Sequence, residues 1–146
     1  MSARTTRTHR SHVFVDTSAF YALADPSDAN NRASKLIAHR IAVLGLSAVT
    51  TTLCLAELHP LVLSRRGRHP ALQVLRDVVA STTIMVRPTP NDERRAVGIF
   101  EAYSNKDFSF TDAVSFSVMG RLGVSVAFSF DRHLLQYGTT VLTITT

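Results

Sequence analysis

Val13-Phe14-Val15-Asp16-Thr17-Ser18 decides how this chain is read. A short apolar run gives way at once to a cluster of helix-capping residues, which reads as a buried strand running straight into a helix. The same pattern returns near the other end, where the largely apolar stretch Val124 to Phe130 stops at Asp131. Between them, Leu46 to Val49 and Thr82 to Val86 read as further strands, and Thr140 to Ile144 as a last one. Helices are predicted over Ala19–Leu23 and over Ser27–Val43, the latter with a stripe of Ala29, Ala33, Leu36, Ile37 and Arg40. A third begins at the Thr50-Thr51-Thr52 cap, with Leu53, Cys54, Glu57, Leu58 and Leu61 on one face and Pro60 expected to kink or shorten it. Others are predicted over His69–Ala80, from Asn91 to about Tyr103, and from Ser109 or Thr111 to about Met119. Strands alternating with helices imply an α/β fold with a mainly parallel sheet.

Length and composition agree with a single domain. The chain has 146 residues, 45% hydrophobic and 18% charged, a soluble globular composition that excludes a disordered chain. The longest uncharged apolar-weighted stretch, Ile41 to Ala56, is too short and too rich in Ser and Thr to span a bilayer. With Cys54 alone there is neither an internal disulfide nor a cysteine-rich zinc site, so an intracellular, cytoplasmic protein is the simplest reading. Basic residues number 16 against 11 acidic, and 14 of the 16 are arginine, the side chain whose planar fork matches phosphate. Arg4, Arg7 and Arg10 lie in an acid-free tail, residues 1–11, expected to be disordered ahead of a folded domain at 12–146. Without the tail the excess is only +2, so the charge supports a polyanionic partner without establishing one.

Four acids sit where solubility does not explain them. Asp16 and Asp131 each follow a buried-type strand, and in open α/β sheets the ligand crevice lies at the carboxyl ends of the strands. Glu57 shares a helix face with Leu53 and Leu61, which places it at the edge of the core or inside it. Asp112 occupies the first turn of a helix beside Phe110, Ala113 and Phe116. Singly, each has an ordinary explanation as a cap, a turn or a helix-edge acid. Together, converging carboxylates raise one another's pKa unless a cation neutralises them, and neither Lys35 nor Lys106 lies at a predicted strand end. A hard, oxygen-preferring Mg²⁺ or Mn²⁺ is the natural solution, and with it the chemistry of phosphodiester hydrolysis by water.

The segments Val13–Ser18, Glu57-Leu58-His59-Pro60-Leu61, Ser109-Phe110-Thr111-Asp112-Ala113 and Phe128-Ser129-Phe130-Asp131 resemble, in order and spacing, the four acidic motifs of PIN-domain ribonucleases. Among these the VapC-type toxins of bacterial toxin–antitoxin pairs are the nearest in kind. The resemblance implies a three-layer α/β/α sandwich around a parallel sheet, Mg²⁺ or Mn²⁺, and cleavage of structured RNA such as tRNA or ribosomal RNA. It also implies a homodimer and neutralisation by a VapB-type antitoxin. Carried over by motif, Asp16 and Asp112 are the principal metal ligands and Asp131 assists the metal or a second one. Glu57 orients or deprotonates the attacking water, and the hydroxyls of Ser18 and Thr111 hold a carboxylate or a metal-bound water, with simple helix caps as the alternative.

Arg65, Arg66 and Arg68 form the best RNA-contact patch in the body, against the plainer reading of solvated helix-end charge. The six histidines show no metal-ligand spacing and read as core or surface residues, His133 among them. A non-catalytic RNA-binding or antitoxin-sequestering module on the same fold is the alternative function; retention of all four acids argues against it. A phospho-accepting receiver domain is excluded, because Asp16 has no acidic neighbour and the Ile84-Met85-Val86 strand runs into Arg87-Pro88.

Overall fold

The computed structural model describes residues 11–144. Arg4, Arg7 and Arg10, and the expectation of a disordered tail, lie outside the described residues. Five parallel strands form one sheet in the order β3-β2-β1-β4-β5: β1 (His12–Val15), β2 (Ser47–Thr51), β3 (Ile84–Val86), β4 (Val126–Phe128) and β5 (Thr140–Val141). Seven helices connect them: α1 (Thr17–Ala24), α2 (Asn31–Val43), α3 (Thr52–Arg66), α4 (Arg68–Ala80), α5 (Pro90–Ala102), α6 (Phe110–Leu122) and α7 (Arg132–Tyr137). The fold is a three-layer α/β/α sandwich.

The period-two alternation of β1 builds both outer layers. Phe14 points to one face, where it packs with Val49, Cys54, Phe116, Met119, Ala127 and Leu134 under α3, α6 and α7. Val13 and Val15 point to the other and pack with Ala19, Ile37, Ile41 and Phe128 under α1 and α2. Helix α6 has almost no polar side along its buried stretch Ala113–Met119, as a helix enclosed by both sheet and α5 must. Its far end is latched by Arg121, whose guanidinium donates two hydrogen bonds of 2.9 Å to the buried carboxylate of Asp92 on α5.

Several predicted boundaries move, each for a local reason. Helix α2 begins at Asn31 rather than Ser27, because the Asp25 carboxylate takes the Ser27 amide and Asp28 takes that of Asn30, which holds this segment in turns. Its buried face is Asn31, Ser34, Ile37 and Ile41, and Leu36 is half exposed. Helix α3 continues unbroken past Pro60 to Arg66, since Pro60 and Ala56 both lie on the solvent side, where the carbonyl deprived of its partner meets water. The cap of α5 is Thr89, not Asn91: Pro90 takes the first helical position, and Thr89 and Asp92 exchange side-chain and backbone hydrogen bonds. The strand predicted over Val124–Phe130 is only Val126–Phe128, and α7 after it has no counterpart among the predicted helices.

Candidate active site

Strand β1 lies between β2 and β4, so the chain winds outward on one side of β1 and then returns to build the other. The carboxyl ends of β1 and β4 therefore flank the topological switch point, where a crevice opens in this class of sheet. Val15 pairs with Phe128, and the Asp16 amide donates to the Phe128 carbonyl at 3.0 Å. The ladder thus fixes Asp16 beside the segment Ser129–Asp131.

Asp16 stands at the N-cap position of α1, yet its side chain makes no capping bond. Instead Oδ2 accepts from the Ser18 and Ser129 hydroxyls, each at 2.9 Å. Ser18 Oγ in turn accepts from the Phe130 amide at 2.9 Å, and Ser129 Oγ accepts from the Asp131 amide at 3.0 Å. Two serines therefore stitch the end of β1 to the end of β4 through one carboxylate oxygen. Burial pushes the Asp16 pKa up, the two hydroxyls work against that, and the charge of Asp112 adds to it.

Asp112 and Asp131 arrive from helix starts. Asp112 is the third residue of α6 and completes a capping box: Oδ2 accepts from the Ser109 amide at 2.9 Å, and Ser109 Oγ accepts from the Asp112 amide at 3.1 Å. Asp131 caps α7, with Oδ1 accepting from the His133 amide at 2.9 Å. That turn places His133 Nδ1 2.8 Å from Asp112 Oδ2 and 3.2 Å from Asp131 Oδ1. Neither contact has hydrogen-bond direction, so this buried nitrogen is close to two carboxylates without donating to either. Spacing alone sets His133 among ordinary histidines; the fold makes it the basic group nearest the acids, a place the lysines do not fill.

Glu57 projects from α3 at the margin of a buried stripe made by Cys54, Leu58 and Val62, with its own side chain open to solvent. Helix α3 is fixed against the sheet by its Thr51 cap and by the Thr17 hydroxyl, which donates to the Cys54 carbonyl at 3.3 Å. Partial desolvation raises the Glu57 pKa. The nearby Thr111 hydroxyl lowers it, and the charges of Asp16, Asp112 and Asp131 raise it further. Glu57 therefore feels the charges of the other three acids and Asp16 feels that of Asp112, and among the described residues no lysine or arginine pairs with any of the four.

These residues suit a hard divalent cation. One donor atom each from Asp112, Asp131 and His133 lies within 4.8 Å of the others, and the convergence of a nitrogen and two carboxylate oxygens with no hydrogen bond between them would be relieved by a shared cation. Asp16 stands outside that tightest group, tied to Asp131 through Ser129 and within reach of the Asp112 charge. Of the basic patch, Arg65 turns toward the crevice and lies over the Tyr21 ring, its guanidinium carbon 5.0 Å from the centroid. Arg66 turns away and pairs with Asp25 at 3.5 Å. Arg68 opens α4.

A parallel sheet in this order, with acids at the ends of its first and fourth strands, defines a recognisable class. Residues 13–139 match the family model of the PIN domain, and the chain belongs to that family. The 23S rRNA-specific endonuclease VapC20 of Mycobacterium tuberculosis is 33% identical over 121 residues, covering 82% of this chain and 88% of the relative. The crystal structure of M. tuberculosis VapC20, described as a Sarcin-Ricin loop cleaving toxin, superposes with a TM-score of 0.82 at 26% identity, over 90% of this chain and 99% of that one. PAE2754 from Pyrobaculum aerophilum shares the fold at a TM-score of 0.58 and 23% identity, over 92% of this chain and 90% of that one. No helix among the described residues is long and apolar enough to cross a membrane.

Proposed function

We propose that this chain is a metal-dependent endoribonuclease that hydrolyses phosphodiester bonds in structured RNA, and that it acts as the toxin of a VapBC-type pair. The observation that carries this reading is the meeting of Asp16, Glu57, Asp112 and Asp131 at the switch point of the sheet, with no lysine or arginine among the described residues paired to them. Because the related VapC20 is named for 23S rRNA, ribosomal RNA is the first substrate to test and tRNA the second. A VapB-type antitoxin is the expected partner and a homodimer the expected assembly, acting in the cytoplasm.

In this reading Asp112 and Asp131, with His133 beside them and Asp16 tied to Asp131 through Ser129, hold Mg²⁺ or Mn²⁺. When bound, the ion supplies Lewis acidity toward a phosphate oxygen and lowers the pKa of a water. Glu57, raised in pKa and open to the crevice, orients the attacking water and takes its proton. Ser18 and Ser129 fix the Asp16 carboxylate, and Thr111 steadies Glu57. Hydrolysis by water leaves a 5′-phosphate and a 3′-hydroxyl, whereas a histidine-only route through the ribose 2′-hydroxyl leaves a cyclic phosphate.

The test is digestion of total bacterial RNA by purified, antitoxin-free protein in Mn²⁺, Mg²⁺ or EDTA, beside Asp112→Asn. Discrete fragments that require metal, carry 5′-phosphates and disappear in the variant are the expected result. Intact RNA in every lane, with no metal binding by calorimetry, leaves a binding module that sequesters RNA or antitoxin. Cleavage that survives both EDTA and Asp112→Asn overturns the site.

A further inference from the structure

A groove of about 480 Å³ opens beside the acids, between α1, α3 and the start of α7. It shares Ser18 and Asp131 with the crevice, and Arg65 and Arg132 line it. Neither arginine has a carboxylate within ion-pair distance among the described residues, although both are exposed. Asp28, the other acid on the wall, is engaged in its own turn by the Asn30 amide at 2.8 Å.

The seat under Arg65 is built rather than incidental. Tyr21, only 5% exposed, presents its ring to the guanidinium. Its hydroxyl donates to Asp25 Oδ2 at 2.7 Å, and Asp25 Oδ1 is held by the Ser27 amide and hydroxyl at 2.9 and 2.7 Å. A guanidinium seated over this ring, with the Tyr21 hydroxyl beside it, has further N–H donors to turn outward to an anion. The neighbouring apolar pocket, lined by Ile37, Leu135 and Ile144, has no such arrangement, although Arg132 also borders it.

We propose that this groove is the track for the RNA backbone on one side of the scissile bond, with Arg65 and Arg132 each holding a phosphate that flanks it. The inference rests on the ribonuclease reading and adds the direction from which substrate enters. Both guanidiniums face a channel that ends on acids, so an anionic backbone is held along the channel and its reacting phosphate is delivered to the acid cluster. Arg66, one residue on, has no part in this because its charge is spent on Asp25.

Binding of end-labelled poly(U) RNA in EDTA, followed by fluorescence anisotropy across a salt series, tests the track without requiring cleavage. Arg65→Ala and Arg132→Ala are each expected to weaken binding about fivefold and to reduce the salt slope by roughly 0.7, the share of one phosphate contact on a single strand. Arg94→Ala, on α5, controls for loss of a surface charge. Arg65→Lys and Arg132→Lys are expected to restore the slope but not the full affinity, because an ammonium cannot hold two oxygens at once. If Arg65→Ala and Arg132→Ala bind no worse than Arg94→Ala, or if they lose only antitoxin binding, the track is overturned. The same holds if the wild-type protein does not bind poly(U). Cleavage is scored separately: a protein that cuts RNA while both variants bind like the control keeps the nuclease and loses the groove. One that binds through both arginines and never cuts keeps the groove and loses the nuclease.

Discussion

Asp16 and Asp25 stand at opposite ends of the same eight-residue helix, α1, and each is 6% exposed. Their ionisation is displaced in opposite directions. Asp25 has its pKa lowered to about 2 by hydrogen bonds from Ser27 and Tyr21, with the Arg66 charge assisting. Asp16 is pushed up by burial, with two serine hydroxyls resisting and Asp112 adding repulsion. The helix macrodipole predicts the reverse, since it favours a negative charge at the N-terminus and disfavours one at the C-terminus. Immediate partners therefore outweigh the dipole here. Asp25 is satisfied by its own neighbourhood, which is what a structural acid needs. Asp16 is left in deficit, and a cation in the crevice would remove that deficit.

The contrast can be broken at either end. The largest effect is expected from Asp16→Asn, which keeps an oxygen for Ser18 and Ser129 but removes the charge. RNA cleavage should fall at least about 100-fold, while the metal-free protein at neutral pH should melt at a higher temperature than wild type. A lower melting temperature makes Asp16 a structural acid like Asp25 and dissolves the comparison. Ser129→Ala comes next: it removes a donor to Asp16 and the acceptor for the Asp131 amide, so Mn²⁺ affinity by calorimetry should drop about 10- to 100-fold. Unchanged affinity means that the serine bridge holds strands rather than ligands.

The smallest effects concern pH. A carboxyl with a lowered pKa stabilises the fold fully above its unfolded value and loses that contribution as pH falls through the folded value. Asp25→Asn should therefore melt below wild type at neutral pH, and the gap should close as pH descends from 3.8 toward about 2. For Asp16 the sign is opposite. Metal-free wild type should lose stability, relative to Asp16→Asn, as pH rises from 3.8 through the raised value, and added Mn²⁺ should abolish the difference. Thermal melts across pH, with and without metal, read both curves.

Much of this arrangement is legible in the chain because strand ends are local features. An apolar run ending in an acid marks Asp16 and Asp131, and the parallel sheet then decides that the two strands are neighbours. His133 is not legible that way. It lies 21 positions from Asp112, and only the first turn of α7 carries its ring to that carboxylate. The helix escapes a periodicity reading because its six residues bury only Leu134, although Asp131 before it and Gly138 after it are the two caps that bracket it. Ser129 leaves a faint trace as a polar residue inside an apolar run, which reads equally well as strand filler. Leu36 shows the converse error, an apolar residue on a predicted stripe that lies in solvent because α2 buries the face of Asn31, Ser34, Ile37 and Ile41 instead.

The hydrogen bond from Ser129 to Asp16 joins residues 113 positions apart. A chain emerging from the ribosome presents Asp16 early and Ser129 and Asp131 late, and β1 has no β4 to pair with until most of the sequence has been synthesised. The acid cluster is consequently completed late, with only α7 and β5 still to follow. Prematurely terminated chains that end before β4 carry three of the four acids and none of the assembled crevice. An incomplete chain therefore holds the acids without the arrangement, a delay in assembly written into strand order.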